Sequence, residues 1–210
     1  MRVLVLCDDR YHPARTVRQG LEALGDAEFA FDWMTDAREW SAGRMAGYPV
    51  VLVSKSNNIS AADQSPWVTP EVQRAFLDYV RAGNGVLFIH SGTAEYADLP
   101  VMRGLIGGVF IHHPRQCPVT VEPREGHPLT AESAPFTIVD EHYFMTLDDA
   151  YADLFLTTTS EHGTKVGGWT RTEGEGRVCV LSPGHNLQVW LHPSFQALIR
   201  NGLRWCAKQI

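Results

Sequence analysis

The groups best suited to proton or metal chemistry in this sequence are its nine histidines and the carboxylates beside them. They fall into short clusters along the chain: Asp8-Asp9 with Tyr11 and His12, Ser54-Lys55, His90-Ser91, Asp140-Glu141-His142-Tyr143, and His185-Asn186. An imidazole beside a carboxylate can take up or release a proton near neutral pH. Three such groups around one open position would equally hold a divalent metal, zinc or manganese, through ring nitrogens and a carboxylate oxygen. His90, Glu141 and His185 are the expected core of either arrangement, and His113 the expected additional metal ligand. His12 is expected to assist them. His185 stands out because Pro183 and Gly184 before it allow the backbone to expose its ring.

The other histidines have plainer readings. His127-Pro128 reads as a turn, His192-Pro193 as a helix start, and His162 as a surface residue. Neighbours on an extended segment point to opposite faces, so at most one of His112 and His113 faces a site, and His142 points away if Glu141 points in. Ser91 beside His90 suggests a serine nucleophile paired with His185. However, Ile89-His90-Ser91-Gly92 lacks the glycine two residues before the serine that a nucleophile elbow requires, which leaves a serine hydrolase as the third-ranked reading. The four cysteines form no CxxC pair and are expected to be buried thiols. No phosphate-binding loop is present, and Gly104-Leu105-Ile106-Gly107-Gly108 does not open a helix after a strand, so no nucleotide cofactor is expected.

These clusters need a frame that gathers them. Short apolar runs alternate with amphipathic stretches, the pattern of a parallel sheet flanked by helices. Val3–Leu6, Phe29–Trp33, Val50–Val53 and Val86–Ile89 read as strands, separated by helices over Pro13–Leu24, Asp36–Ala46 and the stretch that Thr69 caps and Pro70 begins. Val119–Val121 and Phe136–Val139 read as antiparallel additions at one edge, Leu154–Thr159 and Val178–Leu181 as further strands, and Pro193–Ala207 as the last helix. The expected fold is α/β: one domain over residues 1–210, three layers, flavodoxin-like, with a mostly parallel sheet and helices on both faces. In open α/β sheets ligands bind beyond the carboxyl ends of the strands, and each cluster above follows a strand. The connection Ser54–Thr69 is longer than such links usually are and carries Lys55 and Trp67, which suit a polar ligand.

Taken together, these motifs resemble the trehalose-utilisation (ThuA-like) family, whose fold is similar to that of class I glutamine amidotransferases. The resemblance rests on Tyr79–Ser91, Gly126–Thr130 and Phe136–Tyr143, then on Gly184-His185-Asn186 before Trp190, Pro193–Gln196 and Asn201–Trp205, in that order. By this resemblance His90 sits at or beside the place of the amidotransferase nucleophilic cysteine and His185 near that of its histidine. No cysteine lies near His90, so no covalent glutamyl intermediate and no glutaminase activity are expected.

The resemblance implies a role in disaccharide or oxidised-sugar metabolism. The leading reading is an isomerase, lyase or hydrolase acting on a sugar derivative through the His/Glu core, with Asp8, His12, Lys55, Ser91, Tyr143, Trp67 and Trp190 as substrate-binding groups. The alternative is a non-catalytic sugar-binding or regulatory module on the same fold. Lys and Arg number 18 against 24 Asp and Glu, a net charge of −6, the reverse of what a nucleic-acid binder needs. With no membrane-length apolar segment and no signal-peptide pattern, a cytoplasmic protein is expected, without a membrane partner and with a homodimer as its assembly.

Overall fold

The computed structural model describes residues 1–25 and 27–210. Strand β1 (Arg2–Cys7) is buried over its last five residues, as its unbroken apolar run requires of a strand covered on both faces. It pairs in parallel with β2 (Ala30–Met34) on one side and β3 (Val50–Ser54) on the other. Next to β3 lies β4 (Gly85–Ile89), and next to β4 lies β11 (Gly176–Leu181), also parallel. From β11 outward the direction alternates: β10 (Gly163–Glu173), β9 (Asp153–Ser160), β6 (Cys117–Pro123) and β7 (Phe136–Asp140) pair antiparallel. Among the described residues the sheet has nine strands in the order β2-β1-β3-β4-β11-β10-β9-β6-β7, and β5 (Gly108–His112) pairs with β8 (Phe144–Leu147) as a separate ribbon.

Alternate side chains of the central strands enter two cores, one per face. Val3, Val5, Leu52, Leu87 and Leu181 pack with helices α1 (Ala14–Glu22), α5 (Leu187–Leu191) and α6 (Pro193–Cys206) through Leu21, Trp190 and Phe195. Leu4, Leu6, Val51, Val53 and Val180 pack on the opposite face with α2 (Ala42–Met45), α3 (Pro70–Arg81) and α4 (Pro100–Ile106) through Met45, Phe76 and Met102. The fold is α/β, a large mixed sheet between helices.

The expectation of a mostly parallel sheet is corrected: four of the eight pairings in the nine-stranded sheet are antiparallel. The antiparallel half is larger than expected chiefly because of β10. Gly167 and Gly168 break its apolar alternation, and the register with β9 shifts there. A Cβ on Gly168 would come within 2.8 Å of the Val180 carbonyl oxygen, so the close backbone approach needs glycine. The helix expected over 36–46 is two pieces, a 3-10 turn Ala37–Glu39 and α2, divided where Ser41 caps the second. The ribbon β5/β8 and the short helices α4 and α5 were not anticipated either.

Helix α3 begins as its sequence specifies, with the Thr69 hydroxyl accepting the Val72 N–H and Pro70 in the first turn. Thr69→Ala is expected to cost about 1 kcal/mol. In a chain of this size that lowers the melting temperature by about 2–4 °C, readable by thermal unfolding. An unchanged midpoint would show that the cap contributes nothing.

Candidate active site

Four loops at the carboxyl ends of β1, β3, β4 and β11 meet the end of β7. After β1 the chain turns at Asp8, whose φ of +79° lies in the left-handed region. The Asp8 carboxylate is consumed by the Ala14 and Ala61 N–H groups and starts α1. Asp9 is buried; its Oδ1 accepts the N–H groups of Tyr11 and His12 and bonds His12 Nδ1 at 2.7 Å, while Oδ2 accepts the Ser56 N–H. Burial alone would raise this carboxyl, but the His12 and backbone hydrogen bonds outweigh it and hold it down to about 2. His12 is thereby fixed with Nδ1 turned to Asp9, and its buried Nε2 has no hydrogen-bond partner among the described residues. Lys55 is buried too, its ammonium donating to the carbonyls of Asp8, Asn58 and Ile59, so that it ties the β1 and β3 loops together.

His90 closes β4 with a φ of +49°, a conformation that costs energy and places its ring beneath the site. Gly92 follows because a Cβ there would lie 2.1 Å from the Val53 carbonyl oxygen. The His90 ring is buried; Nδ1 donates to the Ser182 carbonyl at 2.8 Å, Tyr143 stacks on it at 3.8 Å, and Nε2 faces Glu141 Oε2 at 3.4 Å. Burial lowers the His90 pKa, against the pull of Glu141. Burial also pushes the Tyr143 phenol well up, keeping it a hydrogen-bond donor.

At the end of β7, Asp140 is buried and accepts the N–H groups of Gly184, His185 and Asn186. The Trp190 indole N–H donates to the Gly184 carbonyl, where φ is +137°. The turn carrying His185 is thus clamped from two sides. His185 Nδ1 stands 3.2 Å from Glu141 Oε2, and His113 Nε2 stands 3.5 Å from the same oxygen. Burial works against charge on both partners, yet the Glu141–His185 attraction prevails: Glu141 is held well below the usual carboxylate range and His185 is raised. One donor atom from each of His12, His90, Glu141 and His185 lies within 4.8 Å of the other three. His113 is outside that group, and its Nδ1 donates to the Pro114 carbonyl at 2.7 Å.

The cluster forms one end of a cavity of about 710 Å³, walled by Tyr11, Phe110, Tyr143, Glu95 and His113, with no Lys or Arg among its described lining residues. His12, Glu141 and His185 reach its surface, whereas His90 lies beneath.

Of the groups expected from sequence, His90, Glu141, His185, His12 and Tyr143 are brought together, with His113 at their side. Five others are corrected. Asp8 and Lys55 are spent on the backbone bonds described above. Trp67 is buried against Trp40 and Phe76 in the α3 core, and Trp190 lies in the other core. Ser91 is fully buried and its hydroxyl has no hydrogen-bond partner among the described residues, so the Ser91–His185 pair does not form. Elsewhere, His142 turns to Ser160 and Thr158, while His127 and His192 accept the N–H groups of Leu129 and Ser194 at their turn and helix starts. Sequence reasoning missed Asp9 and Asp140 as holders of the site. The spacing Asp9-x-x-His12, a carboxylate one turn from a histidine, was a signal for the first.

Fold and site together define an α/β protein with a histidine–carboxylate centre at the carboxyl ends of its strands. The family profile described as ThuA, trehalose utilisation, matches residues 2–206, and the chain belongs to that family. Among proteins of curated function none matches the sequence. In solved structures the fold is similar to a ThuA-like protein from Parabacteroides merdae at a TM-score of 0.78 and 16% identity, covering 100% of this chain and 90% of that one. A ThuA-like protein from Bacteroides uniformis is similar at 0.74 and 20%, covering 98% and 91%. A cytoplasmic protein from Salmonella typhimurium is similar at 0.71 and 14%, covering 98% and 99%.

Proposed function

We propose that this ThuA-family chain is an enzyme of carbohydrate metabolism, an isomerase, lyase or hydrolase acting on a neutral disaccharide derivative in the 710 Å³ cavity. The observation that supports it best is Glu141 at 3.2–3.5 Å from three imidazoles at the inner end of that cavity. A wall that carries Glu95 and neither Lys nor Arg among its described residues favours a neutral sugar over a phosphorylated or carboxylated one. Phe110 offers an apolar edge of the cavity to a sugar ring, and the protonated Tyr143 hydroxyl suits a carbonyl or hydroxyl oxygen as a donor. His113 lines the cavity with its Nδ1 held by the Pro114 carbonyl, which leaves Nε2 placed to move a proton at a carbon beside a carbonyl or at a leaving hydroxyl. A cytoplasmic location belongs to the same proposal: no helix among the described residues is long and apolar enough to cross a membrane, and one structural relative is described as cytoplasmic.

The test is a panel of unoxidised and keto-oxidised disaccharides scored both for product and for shift of the melting temperature. Product from at least one neutral member is expected, with no product from the phosphorylated counterparts. Stabilisation without product across the panel would overturn the enzymatic reading in favour of a binding module.

A further inference from the structure

We propose that His12, His90, His185 and Glu141 form a binding site for one divalent first-row transition cation, zinc or manganese. The inference deepens the proposed function and rests on the same cluster being the working site.

It begins with hydrogen-bond accounting. His90 spends Nδ1–H on the Ser182 carbonyl and His12 spends Nδ1–H on the Asp9 carboxylate, which leaves Nε2 of each ring as a lone pair. Both Nε2 atoms, and Nδ1 of His185, are buried without a hydrogen-bond partner among the described residues. Buried polar atoms are almost always satisfied, and three orphans on one spot are not a pattern of core packing. They converge with Glu141 Oε2, itself an acceptor. A proton can satisfy the His185–Glu141 pair alone, whereas one metal cation would satisfy all three orphaned nitrogens and the carboxylate together.

The dimensions suit a metal. Bonds of about 2.0–2.2 Å in a tetrahedral shell give ligand–ligand edges of about 3.3–3.6 Å. Glu141 Oε2 lies 3.4 Å from His90 Nε2 and 3.2 Å from His185 Nδ1, and all four donors lie within 4.8 Å of one another. The supporting contacts are those that metal-binding histidines use: a carboxylate behind His12 and a carbonyl behind His90, each fixing the tautomer that presents a lone pair. Asp140 sets the loop of His185. Three imidazoles and one carboxylate favour zinc or manganese over magnesium or calcium, which take oxygen ligands.

This set replaces His113, the ligand expected from sequence, with His12. His113 lies outside the four-donor group, with Nε2 3.5 Å from Glu141 Oε2 at the cavity side. His12, Glu141 and His185 also line the cavity, so the cation would face the substrate space rather than sit sealed in the core.

The test uses full-length protein without a polyhistidine tag, stripped with a chelator, then dialysed against zinc, manganese or cobalt chloride and analysed by elemental mass spectrometry. Wild type is expected to retain about one equivalent of at least one cation, with a rise in melting temperature. His12→Ala and His90→Ala are each expected to retain less than about a tenth, and Asp9→Asn to bind about 10–100-fold more weakly. His113→Ala is expected to keep its metal. Circular dichroism separates unfolded variants from folded ones, and Asp9→Asn, which removes no ligand, tests the site where an alanine variant fails to fold. Less than about a tenth of an equivalent in wild type with all three ions would overturn the inference. Metal lost from folded His113→Ala but kept by His12→Ala would overturn the ligand set. Turnover by wild type that retains none of the three ions would overturn the metal and leave the proposed function standing. Stoichiometric metal with no product from any sugar would do the reverse.

Discussion

Glu141→Gln is expected to lower turnover at least a thousandfold, within the range of about 10²–10⁴ that loss of a proton-transferring group produces, while the fold persists. The substitution keeps the shape of the side chain and removes only its charge and one acceptor oxygen. That oxygen is the common point of the cluster, 3.4 Å from His90, 3.5 Å from His113 and 3.2 Å from His185. With it gone, the raised proton affinity of His185 loses the partner that opposes burial, and a ring nitrogen of His90 faces an amide instead of an anion. Glu141 lines the cavity, so water there can take up what the amide leaves open and circular dichroism should stay native. The comparison to make is kcat on whichever disaccharide of the panel gives product. A folded variant within tenfold of wild type would show that the carboxylate does not take part.

Asp140→Ala is expected to be the most destabilising single change near the site, by about 3 kcal/mol or more. The carboxylate is buried, and three N–H donors from consecutive residues end on it. Each buried donor left without a partner costs about 1–3 kcal/mol, and partial solvation of the opened loop recovers some of that sum. For a chain of this length the melting temperature should fall by about 6–12 °C. Burial raises the Asp140 pKa while the N–H donors and His90 oppose it, so Asp140→Asn, which keeps an acceptor oxygen and no charge, should recover part of the loss. Urea unfolding of the three proteins measures this. A loss below about 1 kcal/mol for the alanine variant would show that the loop holds itself in place.

Much of the frame was legible in the sequence because the physical signals were local. Val3–Leu6, Val50–Val53 and Val86–Ile89 are unbroken apolar runs, and only strands covered on both faces use them in this way. Thr69-Pro70 and His192-Pro193 mark helix starts by chemistry that needs no tertiary context. The rest was set by contacts that the sequence does not show. β10 was hidden because Gly167 and Gly168 serve a close approach to β9 and β11 rather than a turn. Trp67 in its loop and Trp190 on the short helix α5 looked like stacking platforms because an aromatic has the same sequence signature whether it turns inward or outward. Lys55 looked like a ligand group since nothing local reveals that three carbonyls from two loops surround its ammonium. Within the site, the residues ending strands were readable as a rim. The choice between His12 and His113 was not, because it depends on how far the β5/β8 ribbon holds His113 from the other rings.

The mixed sheet has a further consequence. His12, His90 and His185 all belong to the parallel half, yet between His90 and the return of the chain at β11 the backbone makes one long excursion. That excursion supplies α4, both ribbon strands and the whole antiparallel half. Glu141, Tyr143, Phe110, Glu95 and His113 all ride on it. The imidazoles therefore sit on a hub of parallel strands, and the walls around them, with Asp140 that pins the His185 turn, are spliced into one connection. Recombining this segment between homologous chains, with Asp140 and Glu141 kept in place, would re-shape what the cavity admits while sparing the strands that carry the three rings.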